Sequence, residues 1–227
     1  MSSPTPGGLR WRCTLPLLHS PPPVSIRLPC AILIPGSERN VMSEEIREKI
    51  RLTYREYRHF PDDGKRHEII DGDHYVSPSP NTPHQTVSRW IQMQLFRQIE
   101  EPGYGYVIDA PMDVELTDYD IVQPDLIVVA KSRRLVVKPI RVIGVPDLLV
   151  EILSPSNPEH DRELKLSLYQ RVEVPEYWIV DPEAQHVDRY RLADGRYGEP
   201  TRETERIAYR HLEMEAEVDL TRVWAAL

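Results

Sequence analysis

The sequence predicts an α/β domain in which helices cover a mixed β-sheet on both faces. Two strongly apolar runs, 126–130 and 148–153, have the composition of central strands. Apolar residues that recur every four positions through 87–99 indicate an amphipathic helix. Strand-like segments precede and follow single helices along the 227 residues, which suffice for one such domain and an appendage.

The composition is that of an ordinary globular protein, with 28% charged and 40% hydrophobic residues. No apolar stretch reaches the roughly 20 residues that cross a bilayer, so we expect no membrane span. The net charge of −8 argues against a protein that coats DNA through a broad basic surface. It does not exclude an enzyme that binds a few phosphates locally. Cys13 and Cys30 cannot build a disulfide framework or a four-cysteine zinc site, so we expect a reducing compartment, the cytoplasm.

Residues 1–41 differ from the rest of the chain. They hold eight of the 22 prolines, a density that disfavours helix and strand alike and predicts a disordered extension. This segment is a poor signal peptide, and three interpretations remain: a disordered tail, a mitochondrial-type leader, or translated text upstream of an initiator at Met42. We favour Met42 as the start, with the globular domain spanning 42–227.

Regular signals begin near residue 50. A capping box at Thr53 opens a short helix. The strand-like segments 67–71 and 74–77 surround a Gly-Asp pair and predict a hairpin. A second capping box with a proline, at 82–85, begins the amphipathic helix, which ends before Pro102.

The two apolar runs lack the alternation of a half-exposed strand, so we expect central strands covered on both faces. The segment 131–141 between them carries five Lys/Arg residues and no acids, and it is a candidate for phosphate contacts or a solvated loop. An apolar period through 164–172 predicts a further helix. Additional strands are expected at 104–109, 112–116, 177–180, 187–192 and 205–211.

A carboxylate inside a core strand is the sharpest chemical signal. Glu151 shares a strand face with Leu149 and Leu153, where an unpaired charge would cost several kcal/mol. Asp125 stands at the mouth of the preceding core strand. If the strands are neighbours, the two acids either form buried ion pairs or bind one divalent cation, and oxygen ligands suit Mg²⁺ or Mn²⁺.

Three other residues have two readings each. Lys165 either pairs with Asp161 on a helix surface or places its ammonium over the carboxylates. Glu68 is a solvated strand residue or a further acid of the site. His84 is an exposed cap residue or a substrate contact, and the residues alone favour exposure. The chain has no G-x-S-x-G, Walker or dinucleotide-binding glycine motif.

A series of motifs closely resembles the Uma2 family of restriction-endonuclease-like proteins, within the PD-(D/E)XK nuclease superfamily. The similarity covers roughly residues 50–215. The motifs, in order, are EIIDG at 68–72, SPSP at 77–80, HQ at 84–85, QPDL at 123–126, PDLLVEILSPS at 146–156, Asp161, Lys165, and VPEYW at 174–178.

The resemblance implies a restriction-endonuclease-like α/β/α sandwich around a central mixed sheet, with Asp125, Glu151 and the carbonyl of Ile152 as metal ligands. The superfamily lysine two residues after the second acid is replaced here by leucine, and Lys165 on the following helix matches the Uma2 position. Glu68 corresponds to the early acid of many superfamily nucleases.

These residues lead to the hypothesis of a Mg²⁺-dependent endonuclease acting on DNA, with Mn²⁺ as a possible substitute and His84 as a possible substrate contact. The alternative is a non-catalytic module that binds DNA or a protein through a nuclease-like fold. RNA is not separated from DNA by any motif. A homodimer is expected because this fold class often forms one.

Overall fold

The computed structural model describes residues 50–154 and 160–227, except the side chains of 160–162. The expected extension 1–41 and the proposed start at Met42 lie outside these residues. The helices are α1 (Tyr54–Tyr57), α2 (Thr82–Leu95), α3 (Leu166–Arg171) and α4 (Leu220–Trp224). Helical turns of other types are a 3₁₀ segment at Lys131–Val136 and π segments at Phe96–Glu100 and His160–Lys165.

The described chain contains strands β1 to β14. Their bounds are β1 (Arg66–Ile70), β2 (Asp73–Ser77), β3 (Gly105–Asp109), β4 (Val114–Thr117), β5 (Asp120–Val122), β6 (Leu126–Ala130), β7 (Val142–Ile143), β8 (Leu148–Ile152), β9 (Glu176–Asp181), β10 (His186–Ala193), β11 (Arg196–Tyr197), β12 (Thr201–Glu203), β13 (Arg206–His211) and β14 (Met214–Asp219).

The central sheet is mixed, as the sequence predicts. Its strand order is β11-β10-β9-β8-β6-β3, and β12 pairs with β10. Strands β8 and β9 run parallel, whereas β6 runs antiparallel to β8 and to β3. A smaller sheet has the order β2-β1-β5-β4-β7, and β13 and β14 form a hairpin.

The two apolar runs are β6 and β8, neighbours at the middle of the central sheet. Alternate residues point to opposite faces, and both faces are buried, which confirms the prediction for these strands. Val128 and Val150 belong to a core shared with α2, α4 and the β13–β14 hairpin. Ile127 and Leu149 belong to a second core shared with α3 and the smaller sheet. The sequence predicts helices on both faces of the central sheet. On this second face, α3 and the smaller sheet together form the covering layer.

Side-chain hydrogen bonds near both ends fix the position of helix α2. The side chain of Asn81 accepts a hydrogen bond from the amide of His84 at 3.0 Å, so Asn81 is the N-cap and the predicted capping box at 82–85 is wrong. Towards the other end, the side-chain amide of Gln94 hydrogen-bonds with the backbone of Asp219, and that of Gln98, in the following π segment, with the backbone of Glu217, at 2.8–3.3 Å. These bonds hold α2 against β14.

The β1–β2 hairpin turns one residue earlier than the sequence predicts. Asp71 and Gly72 occupy the turn with φ values of 52° and 79°, typical of a tight hairpin turn. A Cβ atom on Gly72 would lie 2.5 Å from the side chain of Arg51, so only glycine fits there. The hairpin orients β1, which contributes two residues to the site described below.

Within the described residues, no helix is long and apolar enough to cross a bilayer.

Candidate active site

The register of β6 and β8 brings Asp125 and Glu151 together. Leu126 pairs with Val150, so Asp125 lies opposite Glu151 at the end of the paired region. Both carboxylates are buried, with 2% and 1% of each residue exposed. The main-chain N–H of Ile152 donates to Asp125 Oδ2 at 2.7 Å, which ties the start of β6 to the end of β8.

Glu68 reaches the same place from β1 in the smaller sheet. Its Oε1 accepts a hydrogen bond from the amide of Gln123 at 2.8 Å and lies 3.0 Å from the ammonium of Lys165. Its Oε2 is also buried but accepts no hydrogen bond from the described residues. A buried carboxylate oxygen without a donor is costly and indicates a place for a further cation or donor.

Lys165 lies at the end of the π segment that precedes α3. Its residue is 1% exposed, and its Nζ lies 2.8 Å from Glu151 Oε1. One turn later Tyr169 donates its hydroxyl to the same oxygen at 2.8 Å. Lys165 is therefore buried over the carboxylates and is not a surface residue; the side chain of Asp161 lies outside the described residues.

Arg66 is a site residue that the sequence analysis missed. Its Nη2 lies 2.7 Å from Asp125 Oδ1, and its Nη1 lies 3.9 Å from Glu151 Oε2. One guanidinium therefore contacts both carboxylates. The strand period could have found it, because Arg66 precedes Glu68 by two residues on β1 and shares its face. Tyr169, four residues after Lys165, was detectable in the same way from the helical period.

His84 is buried, which corrects the expectation of an exposed residue. Its Nε2 lies 3.0 Å from Asp125 Oδ2, so it contacts the carboxylate from the first turn of α2. Its Nδ1 is buried and has no hydrogen-bond partner in the described residues. The apolar period of α2 contained the signal, because His84 precedes Val87 and Ile91 on the buried face.

The electrostatics of the cluster favour charged carboxylates. Burial alone would raise the pKa of Asp125, but the hydrogen bond from His84 and the charge of Arg66 outweigh it and lower that pKa well below its usual range. Burial likewise opposes the charges of Lys165 and Arg66 at Glu68, and the net effect lowers the pKa of Glu68. Three acids thus face the guanidinium of Arg66 and the amine of Lys165.

The donor set fits a hard divalent cation. All candidate ligands are oxygens, and Asp125 and Glu151 converge closely enough to share one guanidinium. The carbonyl of Ile152 faces the same strand edge as its N–H, which bonds to Asp125. In the described ranges no three His, Cys, Asp or Glu side chains already form a metal-ligand cluster, and Arg66 and Lys165 lie between the acids.

A surface cavity of about 340 Å³ opens onto this cluster. Arg66, His84 and Asp125 lie on its inner wall, and a polar side of α2 forms another wall. The side chain of Arg66 is 17% exposed. Asp125 is therefore the carboxylate of the cluster that lines the cavity, beside Arg66, while Glu68 and Glu151 lie behind it.

The basic segment 131–141 begins away from this cluster. It follows the far end of β6, at a distance of roughly 17 Å from Asp125 given about 3.3 Å per strand residue. Arg133 pairs with Asp147 at 2.5 Å, and Arg141 pairs with Glu115 at 2.7 Å. These pairs favour a structural role for the segment.

Comparisons with known proteins agree with this architecture. No curated protein matches the chain. The crystal structure of a "putative nuclease belonging to DUF820" from Anabaena variabilis is similar in fold, with a TM-score of 0.62 and 17% identity, over 77% of this chain and 98% of that one. The fold is therefore restriction-endonuclease-like, as expected. The family model named Uma2, described as "Putative restriction endonuclease", matches residues 54–221, and the chain belongs to this family.

Proposed function

We propose that the protein is a Mg²⁺-dependent endonuclease that hydrolyses DNA phosphodiester bonds. The observation that carries the proposal is the meeting of three buried carboxylates from separate strands with one buried lysine. Membership of a restriction-endonuclease-like family supports the same chemistry.

In this proposal Asp125 and Glu151 hold the cation, together with the Ile152 carbonyl, and Mn²⁺ can replace Mg²⁺. When bound, such a cation lowers the pKa of a water molecule and offsets charge on the phosphate. The orphaned Oε2 of Glu68 makes it a ligand for an outer-shell water or a second ion.

Lys165 has the role of orienting the attacking water or neutralising the pentacovalent phosphorus. Its ammonium is a compact charge that Glu68 and Glu151 hold in place from two sides. Arg66 pairs with Asp125 and Glu151 and lines the cavity, where its guanidinium would suit a phosphate oxygen. His84, which contacts Asp125, fixes that carboxylate and faces the substrate side.

One observation favours a competing function. Arg66 and Lys165 already compensate much of the acidic charge, as they would in a non-catalytic module that binds DNA or a protein. A thermal melt separates the two functions. Mg²⁺ at about 100 times its Kd should stabilise the wild-type protein by about 2.7 kcal/mol, and Asp125→Ala should abolish the increase in Tm. An equal increase in both proteins would contradict metal binding at this site.

Activity is tested with supercoiled plasmid DNA in the presence of Mg²⁺ or EDTA. Wild-type protein should nick the plasmid only with the metal, and Lys165→Ala should lose most of this activity. Nicking that survives both Lys165→Ala and Asp125→Ala would come from a contaminant. A parallel assay with single-stranded and duplex RNA separates a ribonuclease from a deoxyribonuclease. The proposed homodimer is tested by light scattering of the full chain.

A further inference from the structure

Helix α2 has three faces with different uses. Val87, Ile91 and Leu95 are fully buried in the core. Gln94 and Gln98 bond to the backbone of β14. The third face, which lines the cavity beside the acidic cluster, is polar and consists of Gln85, Ser88, Arg89 and Gln92.

These four residues are spaced i, i+3, i+4 and i+7, so they form one continuous stripe along the helix. Their side chains make no hydrogen bond or ion pair with any other described residue, in contrast to Gln94 of the same helix and Gln98 of the π segment that continues it. Their donors and acceptors are thus available to a molecule in the cavity.

The inner wall of the same cavity holds Arg66 and Asp125. A strand whose phosphate enters this cavity meets the polar side of α2. Arg89 supplies a cation for a neighbouring phosphate, while the amides of Gln85 and Gln92 match the paired donors and acceptors on base edges. Asp109 also lines the cavity but forms no ion pair with Arg89.

We infer that this polar stripe of α2 is the surface that binds the DNA strand next to the scissile phosphate, an inference that rests on the proposed function. Arg89 contacts a phosphate, and Gln85 and Gln92 contact bases. The stripe lies on the helix whose first turn carries His84, which contacts Asp125. One rigid helix therefore carries both the DNA-binding surface and a contact to the acidic cluster.

The test measures binding without cleavage. Full-length protein is titrated in EDTA with a short fluorescein-labelled DNA duplex, and anisotropy is followed between about 50 and 200 mM salt. Arg89→Ala should weaken binding about tenfold and reduce the slope of log K against log salt by about one. The double variant Gln85→Ala/Gln92→Ala should weaken binding about fivefold to a hundredfold with an unchanged salt slope, because it removes base contacts and no charge.

Arg97→Ala is the matched control, since Arg97 is an exposed arginine on the continuation of the same helix and does not line the cavity. It should bind DNA as the wild type does. Equal losses in Arg89→Ala and Arg97→Ala, no loss in the Arg89 and glutamine variants, or no DNA binding by the wild type would each overturn the inference.

Failure of the proposed function gives a different result. If the wild type shows neither metal-dependent nicking nor a Tm shift, but its DNA binding depends on Arg89, the stripe binds DNA on a non-catalytic fold. If nicking depends on Asp125 and Mg²⁺ while the stripe variants bind normally, the enzyme is retained and the inference fails.

Discussion

The buried carboxylate clusters around Glu176 and Glu151 in the central sheet differ in how their charges are balanced. Glu176 of β9 accepts two hydrogen bonds from Arg189 of β10, at 2.7 and 2.9 Å, and one from the indole of Trp178 at 2.6 Å. One cation matches one carboxylate there, and both oxygens have partners. In the cluster around Glu151, three carboxylates share Arg66, Lys165 and the ring of His84, and one oxygen of Glu68 accepts no hydrogen bond from the described residues.

Burial alone does not distinguish the two clusters. Glu151 and Glu176 are 1% and 3% exposed, and each has a basic partner within 3 Å. The differences are the Glu68 oxygen that accepts no hydrogen bond from the described residues and the solvent-facing cavity that Asp125 lines. A buried ion pair whose oxygens all accept hydrogen bonds has a structural role. A cluster of several carboxylates can also bind a further cation.

The largest expected effect separates the clusters by activity. Glu151→Gln should reduce Mg²⁺-dependent plasmid cleavage by about a thousandfold, which corresponds to ~4 kcal/mol in the activation barrier. The matched variant Glu176→Gln should keep most of the wild-type rate, because Glu176 touches no site residue. Initial cleavage rates at a temperature where both variants are folded provide the measurement.

Similar rates for the two variants would remove the distinction between the clusters. Circular dichroism of Glu151→Gln guards against loss of fold as the cause. A low rate in Glu176→Gln with an intact fold would instead extend the active site to β9.

The second effect concerns the free energy of unfolding at the Glu176 cluster. Glu176→Gln leaves the buried guanidinium of Arg189 without a counter-charge, and we expect a loss of about 3 kcal/mol in the free energy of unfolding. The double variant Glu176→Leu/Arg189→Met should recover most of it, since replacing a buried pair by apolar groups is often neutral. Urea unfolding monitored by fluorescence checks both variants. A double variant as unstable as the single one would show that the pair itself is stabilising.

The sequence predicted the elements that have strong local signals. The runs that form β6 and β8 were recognisable as central strands because neither face contains polar alternation, and the interruption of β8 by Glu151 pointed to the site. The motif series led to the family that the comparisons establish. The capping box of α1 is present at Thr53 as predicted.

What the sequence missed depends on contacts between distant segments. The smaller sheet pairs β1 with β5, about fifty residues apart, and no local pattern encodes that pairing. His84 looked like a polar cap residue, yet Asp125 offers it a partner inside the core. Arg66 contacts Asp125 across a similar separation in sequence, although its position on the Glu68 face could be deduced.

The smallest expected effect concerns Asp120, a buried carboxylate whose basic partner is exposed to solvent. Asp120 of β5 is buried, but its partner Arg171 is 48% exposed at the side chain. Burial would raise the pKa of Asp120, but hydrogen bonds from Arg171, Thr117 and the amide of Asp71 outweigh it, so that the net shift is downward. Asp120→Asn should cost about 1–2 kcal/mol at pH 7, because charge-assisted bonds become neutral ones.

The pH dependence of that cost tests its electrostatic origin. A lowered pKa means that the charged form of Asp120 stabilises the fold above its unfolded pKa of about 3.9, and that this stabilisation is lost as the pH falls through the lower folded value. The difference in unfolding free energy between wild type and Asp120→Asn should therefore be constant from pH 7 to pH 5 and shrink below about pH 4. Urea titrations at these pH values give the difference directly. A gap that persists undiminished in acid would mean that Asp120 acts through hydrogen-bond geometry alone, as a neutral packing element, and would place it closer to Glu176 than to Glu151.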